Sequence, residues 1–159
     1  MVTHIDDEGN ARMVDVGDKP STDRIAVAEG FIGLSEAALG EVIARRSAKG
    51  DVLTVAQLAG IQGAKRTADL IPLCHPVFLD RVEVHLEVEE SAGRIRCVAT
   101  ARTHGRTGVE MEALTAVSAA LLTVYDMLKA VDRAMEIGAI RLLEKSGGRS
   151  GTWQREEKG

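Results

Sequence analysis

Aromatic residues are almost missing from this 159-residue chain: two Phe, one Tyr and one Trp, 3% in all. Its core must therefore be built from Val, Ile, Leu and Ala, and an apolar share of 45% is enough for one globular domain. Two cysteines, Cys74 and Cys97, make no disulfide framework. No apolar run precedes Gly30, so neither a signal peptide nor a membrane span is expected, and a cytoplasmic location is the default. Positive charge is not in excess. A net charge of −4 argues against a general nucleic-acid binder. Basic residues still gather in local knots: Arg45, Arg46 and Lys49; Lys65 and Arg66; Arg102 and Arg106; Lys145 and Arg149. Cations grouped on an acidic chain suit a small anionic ligand, and scattered surface charge is the equal alternative for any one knot.

The patterning divides the chain into a polar arm over 1–22, one domain over 23–150 and a short tail over 151–159. Arg24 to Leu34 reads as a strand. Ser35 can cap a short helix whose Leu39, Val42 and Ile43 share a face. Asp51 can cap a second helix running to about Ala68. Gly60 and Gly63 weaken that helix, so close packing against another element is the expected reason for them. Val82, Val84, Leu86 and Val88 alternate with Glu83, His85 and Glu87, a half-buried strand. After a turn at Ser91 to Gly93 comes a return strand, Arg94 to Thr103, with Ile95, Cys97, Ala99 and Ala101 on one face. A helix of about twenty residues follows from Gly108, and Ile137 to Glu144 is the last strand. The order predicts an α+β fold, a split βαβ antiparallel sheet with helices on one face and one extra helix.

The long helix carries the strongest chemical signal. Glu112, Thr115, Ala119, Thr123 and Asp126 fall on one face, while Met111, Leu114, Val117, Leu121, Val124 and Leu128 cover much of the rest. A helix this apolar is expected to be buried, and ionisable groups on it must be paired or used. Asp126 can pair with Lys129 at i,i+3 and serve as a general acid or base. Glu112 is fourteen residues from Asp126, about 21 Å along a helix, too far to share one reacting atom. Two such helices across a two-fold axis would bring Glu112 of one chain towards Asp126 of another, so a site shared between subunits is expected. First-turn dipole compensation explains Glu110 and competes evenly for Glu112. The loop Ile71-Pro-Leu-Cys-His-Pro76 is preset by its two prolines. It would position His75, which reads equally as structural or functional. Cys74, His75 and Cys97 have no zinc-site spacing. The tail of Lys145-Ser-Gly-Gly-Arg149 could offer amides and cations to phosphate, without being a P-loop.

Together these segments resemble the cyclic pyranopterin monophosphate synthase family, the C protein of molybdenum-cofactor biosynthesis. The matching strings run in order along nearly the whole chain: Met13-Val-Asp-Val16, Lys49-Gly-Asp51, Ala59-Gly-Ile-Gln62, Ala64-Lys-Arg-Thr67, Asp69-Leu-Ile-Pro-Leu-Cys-His-Pro76, Thr107-Gly-Val-Glu-Met-Glu-Ala-Leu-Thr115, Tyr125-Asp-Met127, Lys129-Ala130 and Lys145-Ser-Gly-Gly148. The resemblance implies a ferredoxin-like protomer in a hexamer, a trimer of dimers with sites at dimer interfaces. It implies conversion of a cyclised dihydro-GTP into cyclic pyranopterin monophosphate with release of pyrophosphate. On that reading Asp126, Lys129 and Lys49 are catalytic. Leu73, Cys74, His75, Met111, Glu112, Lys65, Lys145, Arg24 and Asp15 contact or flank the substrate. No cofactor or resident metal is required, though Mg2+ could accompany the pyrophosphate. No nucleic acid and no membrane are expected as partners. A non-catalytic nucleotide-binding module and a metal-dependent phosphohydrolase using Cys74 and His75 are the rival readings.

Overall fold

A computed structural model describes residues 4–44 and 51–156. Five strands form one antiparallel sheet, β1 (Thr22–Gly33), β2 (Arg81–Glu89), β3 (Arg94–Gly105), β4 (Glu136–Ser146) and the two-residue β5 (Trp153–Gln154), in the order β2-β3-β1-β4-β5. The helices are α1 (Glu36–Ile43), α2 (Val52–Lys65), the single turn α3 (Thr67–Leu70) and α4 (Glu110–Leu128). Setting α1, α3 and β5 aside, this is the ferredoxin-like α+β plan, in which β1 and β3 are the inner strands.

One face of the sheet is dry. Ala26, Ala28 and Ile32 of β1 and Ile95, Cys97, Ala99 and Ala101 of β3 are fully buried against the helices. α4 lies across β1, β3 and β4, with Val117, Leu121 and Val124 fully enclosed. Burying each of these side chains contributes about 1.5–3 kcal/mol. By length and composition α4 could cross a membrane, but here it is the core helix of an α+β domain. The expectation for α2 holds at Gly63, where a Cβ would stand 2.6 Å from the Ala119 Cβ. Glycine therefore lets α2 settle onto α4, over the middle of the face that carries Glu112 and Asp126.

Several boundaries differ from the sequence expectation. α2 stops at Lys65, not Ala68, because Arg66 leaves helical geometry at φ −108° and the Thr67 hydroxyl donates to the Ala64 carbonyl at 3.0 Å. In α1 the buried pair is Ala38 and Val42, while Ile43 is exposed, so the i,i+4 stripe and not the helix end faces the core. β4 carries Ala139 at φ 49°, next to a register shift against Glu29 to Phe31, a bulge that bends the strand.

The other face of the sheet is wet, with one exception. Glu29 is 3% exposed there, and Arg96 and Arg141 hydrogen-bond to it at 2.8 and 2.6 Å. Burial pushes its carboxyl up, but the two guanidinium groups outweigh that and hold it below the ordinary glutamate range.

Candidate active site

The loop between α3 and β2 meets the N-terminal turn of α4. Leu73, Cys74, His75 and Val77 come from the loop, and Thr107, Gly108, Glu110, Met111 and Glu112 from the start of α4. With His4, Val14, Val16 and Lys19 of the arm they enclose a cavity of about 280 Å³. Five predicted site residues thus share one space: Leu73, Cys74, His75, Met111 and Glu112.

Glu112 is the chemical centre of this cavity. It is 4% exposed, and among the described residues no other side chain hydrogen-bonds to it. Burial raises its pKa from 4.5 to about 7, Glu110 adding repulsion. The carboxyl can therefore hold or release a proton near neutral pH. Cys74 feels the same environment: burial first, then the charge of Glu112, pushes its thiol up. A reactive thiolate is thus disfavoured at this position. Cys97 lies in the core, where burial pushes its thiol to about 12.

A second cavity of about 490 Å³ adjoins the first, sharing Lys19, Thr107, Gly108 and Glu110 with it. Predicted Arg24 lines it, and its guanidinium donates to the Gly105 carbonyl at 2.9 Å and the Arg106 carbonyl at 3.2 Å. Lys145, near the end of β4, donates to the Ser150 hydroxyl, which also lines this cavity.

Other predicted residues lie apart. Asp126 and Lys129 form their expected pair at 2.5 Å, but on the surface, with side chains 55% and 53% exposed. The expectation that the whole polar face of α4 is buried is thus corrected. Its first turn is sunk between the Cys74 loop and the arm, whereas in its last turn Val124, Met127 and Leu128 stay in the core and only the Asp126 side faces out. Lys65 is exposed in the last turn of α2. Asp15 is exposed and accepts from the Gly17 amide at 2.8 Å, between the cavity-lining Val14 and Val16. Lys49 lies outside the described residues.

Sequence reasoning passed over His4 and Lys19 and read Glu110 only as a first-turn acid. Glu110 does occupy the first turn, yet it also borders both cavities. For Lys19 and His4 no periodicity or motif gave a signal. Arg106 and Arg149 stood in the basic knots.

Fold and site define a small-molecule-binding α+β domain with an acidic, desolvated end and an adjoining cationic end. The chain belongs to the MoaC family, which matches it over residues 13–148. It is 59% identical to the cyclic pyranopterin monophosphate synthase of Thermomicrobium roseum, over 98% of this chain and 94% of the relative. It is 58% identical to that of Brucella ovis, over 96% and 92%, and 57% identical to that of Brucella canis over the same shares.

Proposed function

We infer that this protein is a lyase of molybdenum-cofactor biosynthesis, converting (8S)-3′,8-cyclo-7,8-dihydroguanosine 5′-triphosphate into cyclic pyranopterin monophosphate and pyrophosphate. The observation that carries this reading is the likeness to synthases of that name over more than nine-tenths of both chains. The geometry supports it. A purine-derived ring must be opened and reclosed, which needs groups that exchange protons near neutrality. Glu112 has that property, and Asp126 with Lys129 forms a ready acid–base pair.

The last step is a phosphoryl transfer. A hydroxyl oxygen of the substrate attacks the α-phosphorus, the bond to the β-phosphate oxygen breaks and pyrophosphate leaves. The hydroxyl proton passes to a base. Charge on the leaving group needs cations, and Lys49, Lys65 and Lys145 are assigned to it. No resident cofactor is assigned, and Mg2+ would act only with the pyrophosphate.

A complete site takes residues from two copies of the chain. Support comes from α4 itself: Glu112 and Asp126 are about 21 Å apart along the helix, and Gly63 of α2 packs over Ala119 between them. The oligomer is a hexamer of the family's kind, and the enzyme works in the cytoplasm.

Turnover of the cyclised dihydro-GTP by wild type and Asp126→Ala tests the reading, following pyrophosphate and the pterin product. Wild-type product with a loss of about 10²–10⁴-fold in a folded variant is the expected result. No product from folded, assembled wild type would leave a ligand-binding module instead. Full turnover by Asp126→Ala would remove the aspartate from the mechanism.

A further inference from the structure

The arm forms one wall of the first cavity, and it is folded on its own account. Ile5 bridges to Ala11, the Arg12 amide donates to the His4 carbonyl at 2.9 Å, and the Asp6 amide donates to the Asn10 carbonyl at 3.0 Å. These bonds close a small hairpin whose tip is preset. The Asp6 carboxylate accepts from the Glu8 and Asn10 amides at 3.0 and 2.8 Å, and Gly9 takes φ 86°. Among the described residues, no hydrogen bond or ion pair joins residues 4–21 to the domain. The hairpin nonetheless ends at the cavity, where His4 lines the wall. Its backbone is fixed and its ring is not. The Nδ1 atom is one of two buried side-chain polar atoms without a hydrogen-bond partner among the described residues. A histidine kept for structure pairs its ring nitrogens, because an unpaired buried one costs stability. The ring can turn about its last torsion without moving the arm, which brings a nitrogen to the cavity. Charge narrows what that nitrogen meets. Only Lys19 among the bordering cations reaches the first cavity, opposed by Glu110 and Glu112, whereas Arg24, Arg106 and Arg149 join it on the second. His4, His75 and Glu112, set beside Val14, Leu73 and Met111, suit an uncharged heterocycle with polar edges.

We propose that His4 is a substrate-contacting residue of this enzyme, set by the arm hairpin against the polar edge of the guanine-derived ring in the first cavity. Asp6 is a positioning residue that acts through the turn. The identity of the ring rests on the proposed function. With no polar tie to the domain, the arm can swing aside to admit the substrate, and the contact made by His4 helps to hold it closed.

Kinetics and histidine footprinting of the full-length protein test this. His4→Leu keeps the bulk of the side chain and removes both ring nitrogens, so it should lower kcat/KM about tenfold. His4→Asn restores a polar atom near Nδ1 and should recover most of that loss. A packing role alone would leave His4→Leu active and give no such order. Asp6→Ala loosens the turn and should raise KM more than it lowers kcat, and Asp6→Asn, which still accepts from the two amides, should recover. The second measurement does not depend on turnover. Diethyl pyrocarbonate modifies accessible imidazoles, and peptide mass spectrometry reads the rate at each histidine. Cyclised dihydro-GTP at about ten times its dissociation constant should slow labelling of His4 about tenfold. His85, exposed on β2, should label equally with and without it. Wild-type kinetic constants in His4→Leu, or a His4 labelling rate that the cyclised dihydro-GTP leaves unchanged, overturns the proposal. A wild type that makes no product while His4 is still protected keeps the contact and removes the proposed reaction.

Discussion

The two ends of α4 carry acids of opposite circumstance. At the first turn Glu112 is 4% exposed, without a side-chain partner among the described residues, and its pKa is raised to about 7. At the last turn Asp126 is more than half exposed and held by Lys129 at 2.5 Å. One end is a desolvated pocket already closed by the arm and the Cys74 loop. The other is an acid–base pair laid open on the surface. An exposed ion pair contributes about 0–1 kcal/mol to stability, whereas a desolvated carboxylate is a liability unless it is used. The difference teaches that the exposed pair can be removed with little effect on stability, whereas a change at the buried acid alters stability along with chemistry.

The largest effect expected is on activity at the exposed end. Asp126→Ala should lower turnover by about 10²–10⁴-fold while the midpoint of denaturant unfolding moves little. A variant that unfolded would show that the pair supports the fold instead, and the contrast between the ends would fail.

At the buried end the expected effect is on stability, and its sign follows from the direction of the shift. Glu112 has a folded pKa of about 7 against an ordinary value of 4.5. Between these values the folded state binds more protons than the unfolded one, so stability falls as pH rises from about 4.5 to 7. Above pH 7 the full cost is present, about 3 kcal/mol for a shift of this size. Glu112→Gln removes it. The variant should exceed wild type in unfolding free energy at pH 8 and match it near pH 4. Glu29 acts in the opposite sense: its lowered pKa gives stability present above its ordinary value and lost as pH falls below it. The two windows are separate, so urea titrations across pH resolve them. Parallel curves for wild type and Glu112→Gln would contradict the buried, proton-holding carboxyl.

The division between the ends is itself a packing feature. Gly63→Ala puts a methyl group 2.6 Å from the Ala119 Cβ. Overpacking of this kind costs about 1–3 kcal/mol, more than the gain of about 1 kcal/mol from helix propensity. A net loss of stability is expected in thermal melts. An unchanged or raised midpoint would mean that α2 can move off α4.

Much of this was legible beforehand, for identifiable reasons. Strict alternation over Val82 to Val88 and over Ile95 to Ala101 announced the strands, and an apolar helix between the β2–β3 hairpin and the last strand gave the split βαβ order. The Asp69 to Pro76 and Thr107 to Thr115 strings pointed to the loop and helix turn that line the first cavity. What stayed hidden depends on tertiary geometry. The break at Arg66 and the bulge at Ala139 are set by packing and register, which no local pattern records. The burial of Glu112 and the exposure of Asp126 could not be told apart, because both sit on one helical face with similar neighbours. Lys19, Arg106 and Arg149 converge only after the arm, the β3 turn and the glycine loop are brought together by folding.

The smallest effect expected joins two residues of the first cavity. Burial, then the negative charge of Glu112, pushes the Cys74 thiol above its ordinary value. Alkylation by iodoacetamide follows the thiolate fraction. At pH 8 wild-type Glu112 is mostly ionised, so Glu112→Gln should speed labelling of Cys74 by a few-fold, each pKa unit corresponding to about tenfold in that fraction. Below about pH 6 Glu112 is mostly protonated in wild type, and the two rates should converge. Cys97, fully buried with its thiol near 12, should stay unlabelled in both. The pH at which the two labelling curves part is then a direct reading of the Glu112 pKa in the folded protein. Curves that coincide throughout would mean that the carboxyl and the thiol do not share one electrostatic environment.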